Sequence, residues 1–186
     1  VRDGEAALPS PAIRDDPRMA GCLLRFHTWP HIRAQTIGEH SWQVARVLLA
    51  IWPDAPRHLL VHCMTHDIGE GGPGDIPYPF KAENPTLKRE MDRLEEETHL
   101  RMVLPWSLPA PVHLVPSEKA IFKLAEFIEM WEWGLQELMM GNQFARLVAQ
   151  RCAEASEQRI ADLPTVAIAE EAQRYMNRRR KEWRIE

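Results

Sequence analysis

The chain has 186 residues, of which 45% are hydrophobic and 27% charged, a balance that suits one soluble domain with a sizeable core. A net charge of -4 excludes a protein that coats nucleic acid or lies on an anionic membrane through bulk charge. Three scattered cysteines (Cys22, Cys63, Cys152) with no CxxC exclude a zinc ribbon or a disulfide framework and suit reduced thiols. No apolar run approaches the ~18 residues that span a bilayer, and no signal-peptide core is visible. These features predict a soluble, cytoplasmic protein.

Residues 1–17 carry Pro9, Pro11 and Pro17 among mixed charges and read as a flexible lead-in. The stretch Leu23–Arg33 gathers Arg25, Phe26, His27, Trp29, His31 and Arg33. It reads either as a buried aromatic anchor for a loop or as a substrate wall, with Arg25 facing an anion and Phe26 stacking on a planar group. From Gly38 to Trp52, Val44, Val47, Leu48 and Ile51 recur at helical spacing, with His40 one turn earlier on the same face. A second helix is predicted from about Ala55 to Glu70, burying Leu59, Leu60 and Cys63 and carrying His66 on that face. Glu70 follows His66 at i+4 and Asp67 at i+3, so a continuous helix would turn all three to one side.

Residues 71–85 hold glycines and prolines and read as an ordered loop bearing Asp75 and Lys81. A charge-rich helix follows over about 83–104, with Glu95, Glu96 and Glu97 on a solvated face, and 105–116 reads as a stiff connection. The helix from Ser117, its expected N-cap, to about Met140 is apolar on most of its circumference and therefore central. Glu126 falls on an apolar stripe between Phe122 and Met130, while Glu129, Glu132 and Gln136 share a polar face. Two helices over 142–161 and 165–183 complete the chain, and Arg178–Lys181 reads as a solvated helix end. No strand pattern is visible. The prediction is an all-α protein, with 1–17 as a flexible segment, 18–140 as the core, and 141–186 as helices packed on it in a single domain.

His40, His66, Asp67 and Glu126 are the inward polar groups of three helices. Two imidazoles and two carboxylates suit a divalent ion: Mn, Co, Zn, Fe or Mg. Such an ion lowers the pKa of bound water to roughly 7. Glu70 or Asp75 would exchange protons there, and Arg25, Lys81 and Lys123, at i-3 from Glu126, would supply positive charge. With no GxGxxG, Walker A or nucleophile-elbow pattern, this chemistry points to phosphoester hydrolysis.

Glu39-His40-Ser41, His66-Asp67 and Lys123-Leu124-Ala125-Glu126 resemble the HD-domain metal-dependent phosphohydrolases, over roughly 23–135. Arg25-Phe26-His27-Thr28, Glu39–Ala45 and His66–Glu70 with Gly74-Asp75-Ile76-Pro77 are similar to the small 5′-deoxynucleotidase branch, especially the phage dATP triphosphohydrolases. The resemblance implies an HD-domain helical bundle in which His40, His66, Asp67 and Glu126 bind the metal. It further implies that Glu70 and Asp75 serve catalysis, that Arg25, Lys81 and Lys123 hold phosphates, and that Phe26 packs on the base. It departs at one point: Glu126 stands where the family has aspartate. The implied activity converts dATP or related dNTPs to the deoxynucleoside. The alternatives are a deoxynucleoside 5′-monophosphatase, with nearly the same site, or a silent nucleotide-binding HD-like protein. A deoxynucleotide is the expected partner, with no stable nucleic-acid or membrane contact. Seven tryptophans, Trp131, Trp133 and Trp183 among them, suggest a homo-oligomer.

Overall fold

A computed structural model describes residues 15–106, 108–110 and 112–184, so most of the expected lead-in, residues 1–14, lies outside the described residues. The fold is all-α. Among the described residues the helices are α1 (Pro17–Gly21), α2 (Ile37–Ile51), α3 (Arg57–Thr65), α4 (Tyr78–Glu83), α5 (Pro85–Val103), α6 (Pro116–Met139), α7 (Arg146–Asp162) and α8 (Val166–Glu182). A two-residue antiparallel pair joins β1 (Leu24–Arg25) to β2 (Gln35–Thr36), with Leu24 opposite Thr36 and Arg25 opposite Gln35. Strands this short carry no alternation that a sequence could show.

Helix α2 begins where the Thr36 hydroxyl accepts the Glu39 N–H at 3.1 Å, an N-cap that satisfies one orphan donor. Its inward face buries Val44, Val47, Leu48 and Ile51. Each such side chain contributes about 1.5–3 kcal/mol on burial. Helix α6 lies against α2 and packs most extensively on α7. It can approach α7 closely because residue 134 is glycine: a Cβ there would stand 2.9 Å from the Ala149 nitrogen. One hydrophobic cluster draws on α2, α3, α6, α7 and α8, including Leu48, Cys63, Leu124, Cys152 and Met176. The C-terminal helices therefore share their apolar interior with the preceding ones.

Several expectations need correction. Helix α3 ends at Thr65 and does not continue to Glu70; the chain tightens into a 3-10 turn over Ile68–Gly71. The turn sits against α5 so closely that a Cβ at Gly69 would lie 2.2 Å from the Glu95 carbonyl oxygen. The proline-rich 71–85 segment is not all loop, because α4 forms with Pro79 in its first turn, where a missing N–H costs no helical bond. Ser117 is not the cap of α6; Pro116 opens the helix, Val115 precedes it, and the Val115 N–H donates to Glu118 Oε2 at 3.2 Å.

The polar face assigned to α6 is also wrong. Glu129 and Glu132 are buried, whereas Gln136 is exposed. Glu132 Oε1 accepts from Tyr175 Oη at 2.7 Å and from Arg179 Nε at 2.6 Å, and its other oxygen pairs with Arg46. This knot fastens α8 to α2 and α6. Burial and the adjacent Glu132 push the Tyr175 phenol up to about 12, so it stays a donor. Arg178–Lys181 is accordingly not wholly a solvated end, since Arg179 joins the knot and Arg180 pairs with Glu157 on α7.

Candidate metal centre

His40 projects from the buried face of α2, and His66 and Asp67 occupy the junction between α3 and the 3-10 turn. One ligand atom from each of these three lies within 4.8 Å of the other two. His66 Nε2 is 3.2 Å from Asp67 Oδ1, and His40 Nε2 is 3.8 Å from Asp67 Oδ2. Each imidazole is held by its other nitrogen. His40 Nδ1 meets Glu129 Oε2 at 2.6 Å, and His66 Nδ1 meets the Cys63 carbonyl at 2.9 Å. Both partners only accept, so the Nδ1 atoms carry the protons and the Nε2 lone pairs face Asp67. Both Nε2 atoms are buried without a hydrogen-bond partner in the chain. Unpaired imidazole nitrogens converging on an ionised carboxylate are the donor set a divalent cation requires. The residues fit a metal ion.

Glu126 stands one step outside this triad. Its Oε1 is 3.6 Å from His66 Nε2, while Oε2 is 2.5 Å from Lys123 Nζ. The structure thus brings three of the four expected ligands together, with the fourth alongside and tied to a lysine. Arg25, placed by β1, donates from Nη1 to Asp67 Oδ2 at 3.2 Å, so its nearest anion is this carboxylate. Burial would raise the Asp67 pKa, but His66 and Arg25 hold it well below the usual carboxylate range. Burial likewise would lower His66, yet Asp67 and Glu126 raise it. Glu70 behaves oppositely: burial, then Asp67 and Asp75, push it up to about 9, so it holds a proton at neutral pH. Lys81 faces the same acidic group and binds Glu95 Oε1 at 2.6 Å, which makes Glu95 a partner and not part of a freely solvated face.

Phe26 has a left-handed backbone (φ 54°), unusual for a bulky residue. That conformation lays its ring on Trp133, centroids 4.0 Å apart and 12° from parallel. The Phe26–Trp133 stack agrees with the reading of the Leu23–Arg33 stretch as an aromatic anchor. Two backbone N–H groups of the same stretch, from Ile32 and Arg33, donate to buried Glu137 at 2.7 and 2.9 Å.

Sequence reasoning missed Glu129, Trp133 and His99 as neighbours of the centre. The signal for Glu129 was present: it lies at i+4 from Ala125 and i-4 from Trp133, hence on a buried stripe. His99 lies on the inner side of α5, its pKa lowered by burial and by His66, with its Nε2 unpaired. Nothing in the local pattern of α5 distinguished it. Among the described residues no helix is long and apolar enough to cross a membrane.

Comparison with known proteins agrees with this geometry. Residues 21–168 match the family described as 5′-deoxynucleotidase YfbR-like. A 5′-deoxynucleotidase of Vibrio cholerae is 33% identical over 135 residues, covering 61% of this chain and 70% of that protein. That of Vibrio atlanticus is 29% identical over 154 residues, 70% of this chain and 78% of the relative. Among solved structures, the cyanophage S-2L HD phosphohydrolase DatZ, bound to dA and one catalytic Zn2+, superposes with a TM-score of 0.68 at 19% identity. The match covers 89% of this chain and 95% of that one and shows a common fold. The chain belongs to the YfbR-like 5′-deoxynucleotidase family and is a metal-dependent HD phosphohydrolase.

Proposed function

We propose that this hydrolase removes the phosphates of a deoxynucleotide, dATP foremost, to release the deoxynucleoside. The observation that carries the reading is the convergence of His40, His66 and Asp67 with Nε2 atoms unpaired, beside the Phe26–Trp133 stack. In this reading His40, His66, Asp67 and Glu126 hold a divalent ion, Glu126 after its carboxylate turns from Lys123. Bound there, the ion supplies a Lewis acid that polarises a phosphoryl oxygen and acidifies water. Arg25 keeps Asp67 ionised and oriented. Glu70 donates a proton to the departing 5′ oxygen, and Asp75 and Lys81 set the charge around it. Lys123 and Arg25 meet the phosphates, and Phe26 packs on the base. The dA-bound state of DatZ supports an adenine substrate.

A specific observation favours the second reading, a 5′-monophosphatase. Arg25, Lys81 and Lys123 are each paired with a carboxylate, so little uncommitted positive charge awaits a triphosphate. Product analysis separates the two. The protein is incubated with Mn, Co or Mg and the four dNTPs, the four dNMPs and the ribonucleotides, beside His66→Ala. Deoxyadenosine released from dATP ahead of other substrates, and lost in the variant, supports the first reading. Turnover of monophosphates alone establishes the second.

The oligomer proposal changes its basis. Trp131 and Trp133 are buried within the chain, so their presence says nothing of a partner. Exposed Ile32 and Phe144 line one open depression, which we assign to a second copy. Sedimentation of Phe144→Glu beside the parent tests it, and an unchanged mass refutes it.

A further inference from the structure

His40 and Glu129 meet across the α2–α6 interface with side-chain exposures of only 1% and 3%. Burying a carboxylate is costly unless donors surround it. Glu129 has two: His40 Nδ1 on one oxygen, and on the other Gln35 Nε2 at 2.5 Å, delivered by β2. The two candidate histidine ligands are oriented by different means. His66 uses the Cys63 carbonyl three residues earlier, a bond that the backbone of α3 supplies unaided. His40 depends on a side chain 89 residues away. Its ring plane and its tautomer, with Nε2 free to ligate, both follow from the carboxylate behind it.

We propose that Glu129 is a positioning residue of the metal centre, fixing the ring and tautomer of His40, and that Gln35 in turn fixes Glu129. This rests on the reading of His40 as a ligand. Glu126 and Glu129 then divide the work of α6, one beside the metal and the other behind its ligand. Outer partners of this kind typically change metal affinity roughly 10–100-fold when lost.

The test is metal affinity and not turnover. Chelator-treated parent, Glu129→Gln, Gln35→Ala and His66→Ala are titrated with Co2+ and Mn2+ against a competing chelator. Expected are an affinity loss of roughly 10–100-fold in Glu129→Gln, a smaller loss in Gln35→Ala, and a changed visible spectrum of bound cobalt in both. The 15N shifts of His40 should report a single Nδ1–H tautomer in the parent and a mixture in Glu129→Gln. A merely structural role would lower the melting temperature and leave affinity and tautomer alone. Affinity within about twofold of the parent in Glu129→Gln, with loss in His66→Ala, overturns the positioning role. Unchanged affinity in His66→Ala overturns the metal reading itself. If Glu129→Gln does not fold, Gln35→Ala decides by the same criteria, and parental affinity and spectrum in it overturn the proposal.

Discussion

Replacing Glu70 with glutamine removes one titration and leaves the shape of the side chain. The folded protein holds the Glu70 proton up to about 9, against 4.5 in an unconstrained chain, because the group is buried and faces Asp67 and Asp75. Below 4.5 both states are protonated and the site contributes no pH dependence. As pH rises from there, the unfolded chain releases its proton while the folded chain keeps it, so stability falls, and the loss is complete only above the folded pKa. The ceiling on the slope is about 1.4 kcal/mol per pH unit, or about 4 kcal/mol between pH 5 and pH 8. Glu70 is only partly buried and its neighbours can relax, so about 2–3 kcal/mol is expected. For a chain of this size that is roughly 4–12 °C in melting temperature. The assay is thermal and urea unfolding of chelator-treated parent and Glu70→Gln at half-unit steps from pH 5 to pH 9. The variant should gain on the parent steadily as pH rises, while losing turnover at every pH with metal restored. Parallel stability profiles would refute the argument that Glu70 is a proton-holding carboxyl.

Gly69→Ala should destabilise the protein by about 1–3 kcal/mol and disturb the Asp67–Glu70 turn, since its Cβ meets backbone that cannot move aside; melting and metal titration of the variant check both effects. Glu132→Ala strips the shared partner from Arg46, Arg179 and Tyr175 and should cost about 2–3 kcal/mol, the partly exposed arginines being rescued by water; unfolding in urea measures it. Phe26→Ala should raise KM for a deoxynucleotide by roughly tenfold with metal affinity unchanged, the loss of one aromatic contact to a base; equal KM values would remove Phe26 from the substrate wall. With α8 sharing the core of α2 and α6, these three helices should unfold together, the fluorescence of Trp52, Trp131 and Trp183 changing in a single transition.

The long helices were legible because their apolar faces are strictly periodic: Val44, Val47, Leu48 and Ile51 on α2 fall where the pattern puts them. His40 and His66 were legible as inward for the same reason. The end of α3 was not, because the 3-10 turn that follows it packs on α5, with Gly69 against the carbonyl of Glu95, a tertiary contact that periodicity cannot see. Glu129 and Glu132 were misread because polarity was taken as exposure. Each is buried against partners distant in the chain: His40 for Glu129, and Arg46, Tyr175 and Arg179 for Glu132. Arg25 shows the converse. Its charge was noticed and its anion was sought in a substrate, whereas the first anion it meets is Asp67.

The turn that carries Glu70 packs on α5 and α1, whereas His40 and His66 are rooted in helices of the main core. Buried residues of that outer layer, Ala20, Met91 and Met102, lie outside the main hydrophobic cluster. The centre therefore straddles two bodies of unequal cohesion, and the weaker one holds Glu70, the proposed proton donor. Partial opening of the outer layer would leave the imidazoles in place and carry the acid away from them. Such an enzyme can be silenced without being emptied of metal. In rising urea, catalysis should disappear first, metal release should follow, and the helical signal should be last to go.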